Sequence, residues 1–437
     1  MIPSARLQAA IDVLDEVLSQ VKSGGRASDD AIRTYFRTRR YAGSKDRRAV
    51  GELVYGILRD FERTKWALGE GEHDSRAYFI THLALSNTLD ETLFTGEGHG
   101  PSALGEGEKE LALKATSLGE PPLQARTNCP TWLLSMMEDR FKGIVEDELM
   151  ALNERAPLDL RINTQKFTQG KALDLFLNEH FERSVTNHSP QGVRLPKSPT
   201  VTNLKAYSEG FFEVQDEAAQ IASLLTGVKP GNTVIDLCAG GGGKSLAMAN
   251  IMENKGVIHA FDINEKRLKS LGERAKRASA KIVKFQHIEG FDKIAERSKE
   301  LDKFNGKADV VVLDVPCSGT GTWRRSPELR LRLTEERLTG VVATQKRLMK
   351  EGAKLLKPGG RLIYMTCSIL EAENEAQIAT FLKTREPWRL MGAQKMWVEV
   401  LGRSKLKNAT LNPKCLQLTP YANGTDGFFV GIIRKPS

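Results

Sequence analysis

Residues 309–321 read Asp-Val-Val-Val-Leu-Asp-Val-Pro-Cys-Ser-Gly-Thr-Gly, and this stretch decides the fold. Its apolar run is too short for a typical helix and too continuous for a half-exposed strand. It therefore indicates a strand buried in a parallel sheet that is covered on both faces. Such sheets bind ligands at the carboxyl ends of their strands. We expect Asp314 and Cys317, which lie at the end of this strand, to belong to a functional site.

Strands and helices alternate on either side of this stretch, from residue 206 to the end of the chain. The apolar patterns predict strands over 233–237, 257–262, 281–287, 310–315 and 361–367, and helices over 213–226, 244–253, 265–278 and 335–356. This alternation is typical of a doubly wound, Rossmann-like sheet. The predicted fold class is therefore α/β.

Two further regions precede this sheet. Apolar residues at helical spacing predict amphipathic helices near 7–18 and 45–66, whereas residues 93–121 are rich in Gly, Glu, Ser and Pro and read as a loop or linker. Alternation in 156–163 predicts a strand, and a helix near 168–180 would complete a small α+β domain. We predict three domains, over 1–127, 128–205 and 206–437.

The first predicted domain carries many basic residues interleaved with aromatic ones. They are Arg33, Tyr35, Phe36, Arg37, Arg39, Arg40, Tyr41, Lys45, Arg47, Arg48, Arg59, Arg63 and Lys65. Such a set predicts an all-α module with an RNA-binding face, and a solvated helical surface is the alternative. The net charge of the chain, +9, also favours a polyanionic partner.

Composition argues against several other classes of protein. The first residues lack the apolar segment of a signal peptide, and no stretch of about eighteen apolar residues could span a bilayer. The five cysteines contain no C-x-x-C pair and the seven histidines form no ligand-spaced cluster, which argues against a disulfide framework and a zinc site. We expect a cytoplasmic monomer that binds neither metal nor membrane.

A glycine-rich stretch, Cys238-Ala-Gly-Gly-Gly-Gly-Lys244, lies between a predicted strand and a predicted helix. Its glycines allow the backbone to approach a ligand closely. Gly243-Lys244-Ser245 matches only the end of a nucleoside-triphosphate loop, because Cys238 stands where the leading glycine would be required. Asp262 closes the next predicted strand, where doubly wound folds place an acid on a ribose. Together these residues predict a cofactor that contains adenosine.

Methyl transfer from S-adenosylmethionine fits this pattern, since it requires an adenosine pocket and an acid at a strand end but no phosphate cradle. An exocyclic amine could accept the methyl group directly, whereas carbon 5 of a pyrimidine must first be activated by a thiolate that adds to carbon 6. Cys317 and Cys367 both end predicted strands of one sheet, so we expect them in one cleft. The residues themselves do not decide which thiol attacks, and two inert core cysteines are the alternative.

These motifs resemble those of the Sun (Fmu) family of RNA cytosine-5 methyltransferases. The resemblance covers about residues 130–437 and is carried by the glycine-rich loop, Asp314-Val-Pro-Cys-Ser-Gly-Thr-Gly321, Thr366-Cys-Ser368 and Glu373-Asn-Glu375. It implies a methyltransferase domain built on the doubly wound sheet.

The resemblance also implies the roles of single residues. Cys367 would be the nucleophile, Cys317 would assist release of the methylated RNA, and Asp314 would lie near the target base. The residues implied to bind S-adenosylmethionine are Cys238, Ala239, Gly240, Gly241, Gly242, Gly243, Lys244, Asp262, Glu289 and Asp314. Asp292 is a rival to Glu289 on the adenine side, and Gly241 stands where proline is common in the family.

The N-terminal helical segment resembles the NusB-like RNA-binding module of the family's bacterial branch, which methylates a cytosine of 16S ribosomal RNA. This resemblance implies small-subunit ribosomal RNA as the partner. Two alternatives stay open. A tRNA cytosine-5 methyltransferase would have the same catalytic core, and an RNA-binding assembly or antitermination factor would keep the fold without the activity.

Overall fold

A computed structural model of the chain describes residues 1–22, 28–289, 300–402 and 406–437. Contacts within the chain define two compact units. Unit 1 consists of Met1–Glu154 and Thr322–Thr334, and unit 2 consists of Arg155–Gly321 and Glu335–Ser437. The three predicted domains, 1–127, 128–205 and 206–437, divide the chain differently and stay a prediction.

The described residues of unit 1 form helices and their connecting segments without a β-strand, as predicted for the N-terminal region. Its helices are α1 (Pro3–Lys22), α2 (Ser28–Arg37), α3 (Ser44–Leu58), α4 (Phe61–Leu68), α5 (Ser75–Leu85), α6 (Glu106–Ser117), α7 (Leu123–Arg126), α8 (Thr131–Phe141), α9 (Val145–Ala151) and a further short helix, Leu329–Arg332. The core is formed by apolar faces of α1, α3 and α5, with Val13, Leu14, Val54 and Phe79 fully buried.

Two sequence predictions for this unit are wrong. The helix expected over 45–66 is broken between α3 and α4, because the Asp60 N–H turns back to the carbonyl of Ile57 (3.0 Å) and Thr64 then starts a new turn on the Asp60 carbonyl. The expected loop over 93–121 contains α6, which is capped at its start by the Glu108 carboxylate accepting the Gly105 N–H at 2.9 Å.

The segment Thr322–Thr334 is held in unit 1 by buried side chains. Trp323 is fully buried, and the Arg330 guanidinium carbon lies 4.6 Å from its ring centroid. Arg330 also donates to the carbonyl of Leu152 at 3.0 Å, and Arg59 donates to the carbonyl of Arg324 at 3.2 Å. These contacts attach the segment Thr322–Thr334 to the N-terminal helices, although the segment follows the Cys317 motif in the sequence.

Unit 2 contains two sheets, of which the smaller is antiparallel. Its strands are β1 (Leu158–Ile162), β2 (Ser184–Val185), β3 (Gly192–Leu195) and β4 (Phe212–Val214), in the order β2-β3-β1-β4. Helix α10 (Gln169–Asn178) covers one face, where Leu160, Val193 and Phe176 are fully buried. The predicted helix over 213–226 is wrong at its start, since β4 occupies 212–214 and the Asp216 side chain caps the helix that begins at Glu217.

The larger sheet has the order β10-β12-β9-β8-β5-β6-β7, with β11 paired to β12. Its strands are β5 (Thr233–Asp236), β6 (Val257–Asp262), β7 (Val283–His287), β8 (Ala308–Asp314), β9 (Leu356–Thr366), β10 (Arg389–Met391), β11 (Leu416–Leu418) and β12 (Phe428–Arg434). Strands β5 to β9 are parallel to one another, and β10, β11 and β12 add antiparallel pairs.

Helices cover both faces of this sheet. A short helix, α11 (Lys205–Ser208), packs instead in the core of the smaller sheet. The helices that cover the larger sheet are α12 (Glu217–Leu224), α13 (Gly243–Ile251), α14 (Glu265–Ala278), α15 (Glu335–Leu355), α16 (Glu375–Lys383) and α17 (Ala393–Leu401). A last short helix is α18 (Pro420–Asn423). In β8, Val310 and Val312 join one apolar core while Val311 and Leu313 join the other. The α/β fold with a parallel sheet is therefore confirmed. In the described ranges, no helix combines the length and apolar character that a membrane crossing requires.

Candidate active site

The carboxyl ends of the parallel strands bring the predicted residues to one edge of the larger sheet. Strands β5, β6 and β8 end at Asp236, Asp262 and Asp314, and Cys367 directly follows β9. The Val315 N–H donates to the carbonyl of Met365 at 3.1 Å, which holds the turn after β8 beside the end of β9. This pairing places the Cys317 turn next to Cys367.

The two cysteines form a close pair. Their Sγ atoms are 3.3 Å apart, and both residues are partly exposed. The pKa of Cys317 lies well above its ordinary value because of the hydrogen bond with Cys367, burial of the thiol, and the charges of Cys367 and Glu373. The structure therefore brings together the two thiols that the sequence predicted to share a cleft.

Asp314 and Lys244 form an ion pair at the same edge. The Lys244 ammonium donates to Asp314 Oδ2 at 2.5 Å and lies 4.8 Å from the centroid of the Phe428 ring. Burial, the largest single effect, lowers the pKa of Lys244. The charge and hydrogen bond of Asp314, with the charges of Cys367 and Asp236, together outweigh burial and raise this pKa. Lys244, predicted to bind the cofactor with the rest of the glycine loop, thus reaches the predicted base-side residue Asp314.

The glycine loop turns tightly between β5 and α13. Gly240 and Gly242 have φ angles of +54° and +81°, and a Cβ atom on Gly242 would lie 2.5 Å from Leu271 Cγ. The Gly240 N–H donates to Asp262 Oδ2 at 2.7 Å, and Arg274 donates to the carbonyl of Gly241 at 2.6 Å. Backbone conformation and close packing thus explain why glycine is required at position 242.

The remaining predicted positions lie near the same strand ends. Cys238 and Ala239 follow β5, where the Ala239 N–H donates to the carbonyl of Phe261 at 2.9 Å. Glu289 lies two residues beyond β7, next to Ile288, whose N–H donates to the Asp262 carbonyl at 3.1 Å. Asp292 lies outside the described residues.

Unit 1 carries an exposed basic surface on α2, α3 and the turn between them. Its exposed members are Arg33, Arg37, Arg40, Lys45, Arg47 and Arg48. Of the three aromatic residues in the predicted set, Tyr41 is 67% exposed, whereas Phe36 is buried and Tyr35 donates to Asp12 at 2.9 Å. Tyr41 is thus the aromatic side chain of this set that could stack on a base.

Comparisons with known proteins identify the family to which the chain belongs. Residues 223–434 match the family model described as 16S rRNA methyltransferase RsmB/F, and residues 129–202 match the ferredoxin-like domain of RsmF/B-like methyltransferases. Over 332 residues the chain is 32% identical to a probable ribosomal RNA small subunit methyltransferase B of Synechocystis sp., with 76% of this chain and 71% of that protein covered. The chain belongs to the RsmB/F family.

Two further proteins extend the match over nearly the whole chain. A ribosomal RNA small subunit methyltransferase B of Photorhabdus laumondii is 27% identical over 90% of this chain and 91% of its own length. The crystal structure of PH0851 superposes with a TM-score of 0.78 at 26% identity, and the superposition covers 100% of this chain and 99% of that one.

Membership of the RsmB/F family makes the protein an S-adenosylmethionine-dependent RNA methyltransferase, which confirms the predicted cofactor. The strand ends fit such a cofactor. Where a Cβ would project from Gly240, the described residues place no heavy atom within 4 Å other than those of Gly240 and its two chain neighbours. The Asp314 side chain is 32% exposed at the same edge. Which predicted residues contact the cofactor stays a prediction. Among the described residues, no cluster of side chains could hold a metal ion.

Two buried carboxylates at this edge were absent from the predicted site. Asp236 accepts a hydrogen bond from the Ser245 hydroxyl at 2.7 Å, and burial raises its pKa to about 7. Glu373 is fully buried and accepts hydrogen bonds from Ser318 and Ser368. Two features of the sequence could have indicated these residues. Asp236 ends the apolar run of β5, and Glu373 follows shortly after the Thr366-Cys-Ser368 motif.

Proposed function

We propose that the protein methylates carbon 5 of a cytosine in 16S ribosomal RNA through a covalent bond between Cys367 and the base. The separation of 3.3 Å between the sulfur atoms of Cys317 and Cys367 carries this proposal. Methyl transfer to an exocyclic nitrogen requires no thiol. Transfer to ring carbon requires one group that attacks the base and another that helps to release it, and two adjacent thiols supply both.

In this reaction the Cys367 thiolate forms a bond to carbon 6 of the cytosine, and the electron pair of the 5,6 double bond becomes available at carbon 5. Bound S-adenosylmethionine would supply the electrophilic methyl group to carbon 5, and S-adenosylhomocysteine would leave with the electron pair of the broken sulfur–methyl bond. A base then removes the proton from carbon 5, the electrons of that C–H bond restore the double bond, and Cys367 leaves with the electrons of the sulfur–carbon bond. Cys317 lies within reach to assist this last step.

Asp314 is proposed to contact the target base and to lie near the methionine end of the cofactor. Its ion pair with Lys244 fixes the carboxylate at the end of β8, within the same turn region as Cys317. The residues proposed to hold the cofactor are the glycine loop 238–244, Asp262, which binds the loop through the Gly240 N–H, and Glu289.

Two observations support ribosomal RNA as the substrate. The relatives from Synechocystis sp. and Photorhabdus laumondii are both named as methyltransferases of small-subunit ribosomal RNA. Unit 1 presents the exposed cations of α2 and α3, and such surfaces bind RNA phosphates. We propose that this basic surface contributes to RNA binding.

The first test is methyl transfer by Cys367→Ser. With radiolabelled S-adenosylmethionine and small-subunit ribosomal RNA, we expect no 5-methylcytosine in the digested product. Cys415→Ala is the matched control, because this thiol is fully buried in the apolar core of unit 2. Normal turnover by Cys367→Ser would contradict the assignment of the nucleophile, and bisulfite mapping that placed the methyl group in tRNA would contradict the substrate.

The second test concerns Cys317. In Cys317→Ser the attack on the base is retained and release is slowed, so a protein–RNA adduct that survives denaturing electrophoresis should accumulate. Its formation should require Cys367, and the double variant Cys317→Ser/Cys367→Ser should therefore give none. An adduct in the double variant, or no adduct in Cys317→Ser alone, would contradict this division of roles.

A further inference from the structure

A buried carboxylate joins the two loops that carry the cysteines. Glu373 Oε1 accepts the Ser318 N–H at 2.8 Å and the Gln345 side-chain amide at 2.9 Å. Glu373 Oε2 accepts the hydroxyl groups of Ser318 and Ser368, each at 2.5 Å. Ser318 and Ser368 directly follow Cys317 and Cys367 in the sequence. One side chain thus contacts the neighbour of each thiol.

Other hydrogen bonds fix Glu373 and brace the same loops. The Tyr364 hydroxyl donates to the Glu373 carbonyl at 2.6 Å, and Gln345 also donates to the carbonyl of Pro316 at 3.0 Å. The Gly321 N–H donates to the carbonyl of Cys367 at 2.9 Å. The backbones on both sides of the thiol pair are therefore tied together, with Glu373 at the centre of the side-chain contacts.

The charge of Glu373 is balanced by hydrogen-bond donors alone. Glu373 has no cationic partner in the part of the chain that the structure describes, and its four donors are two hydroxyl groups, one backbone N–H and one amide. Donors of this kind stabilise a buried carboxylate but leave its net charge in place. That charge acts on its surroundings at the low dielectric of the protein interior.

The two thiols consequently face opposite charges. The negative charge of Glu373 contributes to the raised pKa of Cys317, after the hydrogen bond with Cys367, burial and the charge of Cys367 itself. On the other side, Cys367 lies close enough to the Lys244 ammonium to contribute to its raised pKa, after the larger effects of burial and Asp314. Among the described residues, the groups that can carry charge and interact with Cys317 include Cys367, Glu373 and Tyr364.

We propose that Glu373 is a positioning residue that holds the two thiols at their short separation and makes them electrostatically unequal. Cys317 then keeps its proton, whereas Cys367 is the thiol that lies beside the Lys244 ammonium. The role of Cys367 in attack rests on the proposed function. The inequality of the two thiols does not, because it depends on the groups around them and not on the reaction.

Alkylation of the free protein tests this proposal without RNA or cofactor. We would follow iodoacetamide labelling of Cys317 from pH 7 to 10, with the labelled peptides separated by mass spectrometry. In Glu373→Gln the negative charge is lost, so Cys317 should react about tenfold faster near pH 8 than in the parent protein. Since no methyl transfer is involved, this result is independent of whether the product is 5-methylcytosine.

Glu375→Gln is the matched control. Glu375 is also a buried carboxylate, two residues away, but it accepts from the Thr410 hydroxyl at 2.6 Å and the Leu411 N–H at 3.1 Å. Its replacement should leave the alkylation rate of Cys317 unchanged. Equal rates in the parent and in Glu373→Gln, or equal acceleration by both variants, would overturn the proposal.

Glu373→Asp separates the effect of the charge from the effect of the position. It also keeps the proposal testable if Glu373→Gln does not fold. Labelling of Cys415, which is fully buried in the folded protein, would show such a failure to fold. The shorter side chain keeps the charge and loses contact with at least one loop. Cys317 should therefore stay as slow to alkylate as in the parent, while methyl transfer falls at least tenfold with unchanged affinity for S-adenosylmethionine. Rapid alkylation of Cys317 or unchanged transfer in this variant would refute the proposed role.

Discussion

Asp236 should make the stability of unit 2 depend on pH, and Asp236→Asn should remove this dependence. Asp236 is 1% exposed. Among the described residues, its carboxyl group has one hydrogen-bond partner, the Ser245 hydroxyl, and Oδ1 has none. Burial raises the pKa of Asp236 from 3.8 to about 7. The hydrogen bond from Ser245 opposes this rise, and the charge of Asp314 contributes to it. The neighbouring groups that can carry charge are Asp314, Lys244 and Asp262.

The sign and size of the effect follow from these two pKa values. Below 3.8 the carboxyl group is protonated in both the folded and the unfolded protein. Between 3.8 and about 7 the folded protein retains a proton that the unfolded chain has lost, so its free energy of unfolding falls as the pH rises through this window. At about 1.4 kcal/mol for each tenfold change, the total loss is about 4 kcal/mol, of which about 2.5 kcal/mol falls between pH 5 and pH 8.5.

Asparagine does not titrate, so the stability of Asp236→Asn relative to the parent should increase by about 2.5 kcal/mol over the same interval. The amide of the new asparagine places an N–H group without a partner where Oδ1 now lies, which lowers the stability of the folded protein. This decrease is the same at every pH. Asp174→Asn, which removes an exposed carboxylate from α10, controls for the loss of one charge. The pH dependence of the difference is therefore the measured quantity.

Two buried cysteines allow each unit to be followed separately in urea. Cys415 lies in the core of unit 2 and Cys129 lies in unit 1, and both are fully buried. Labelling with 4,4′-dithiodipyridine, which reacts with thiols in acid as well as at neutral pH, reports when each becomes accessible. A difference between parent and variant that stays constant from pH 5 to pH 8.5 at Cys415 would refute the argument from burial of Asp236.

Substitutions in the glycine loop should separate backbone conformation from packing. Gly240→Ala should lower the free energy of unfolding by about 1 kcal/mol, because the φ of Gly240 is +54° but the space around it is open. Gly242→Ala should lower it by a further ~1–3 kcal/mol, because the new Cβ would contact Leu271. Urea unfolding would measure both values. The reverse order would contradict this geometry. Gly241 lacks a positive φ, so Gly241→Pro should stabilise the loop by about 0.4–1 kcal/mol and tighten S-adenosylmethionine binding in calorimetry, and weaker binding would count against it.

Much of the sheet could be predicted because its strands are continuous apolar runs. The prediction of 257–262 agrees with β6 at both ends, and the predicted helix 265–278 coincides with α14, whose start is marked by Asn264 and whose end by a cluster of basic residues. Parallel strands share one functional edge, so the nearness of Cys317 and Cys367 also followed from the order of motifs.

Side-chain partners across long separations could not be predicted in the same way. The motif Glu373-Asn-Glu375 carries part of the family resemblance, but its pattern does not identify its partners. Only the fold shows that Glu373 turns inward to serines 55 and 5 residues away. The break between α3 and α4 was also hidden, because apolar spacing continues across it. Periodicity describes which face of an element is buried, but it does not identify the polar groups that meet there.

The membership of Thr322–Thr334 in unit 1 has a consequence for how the family could be dissected or could evolve. A chain cut at residue 154 would keep Trp323 and Arg330 but lose the carbonyl of Leu152 and the helices that enclose them. The shortened protein would expose an apolar patch and an unpaired guanidinium only a few residues after Cys317. The helical region therefore differs from a detachable fusion partner. Deleting the helical region in one step would make the remaining protein less soluble. A family member without this region would therefore also need changes within the 13 residues Thr322–Thr334.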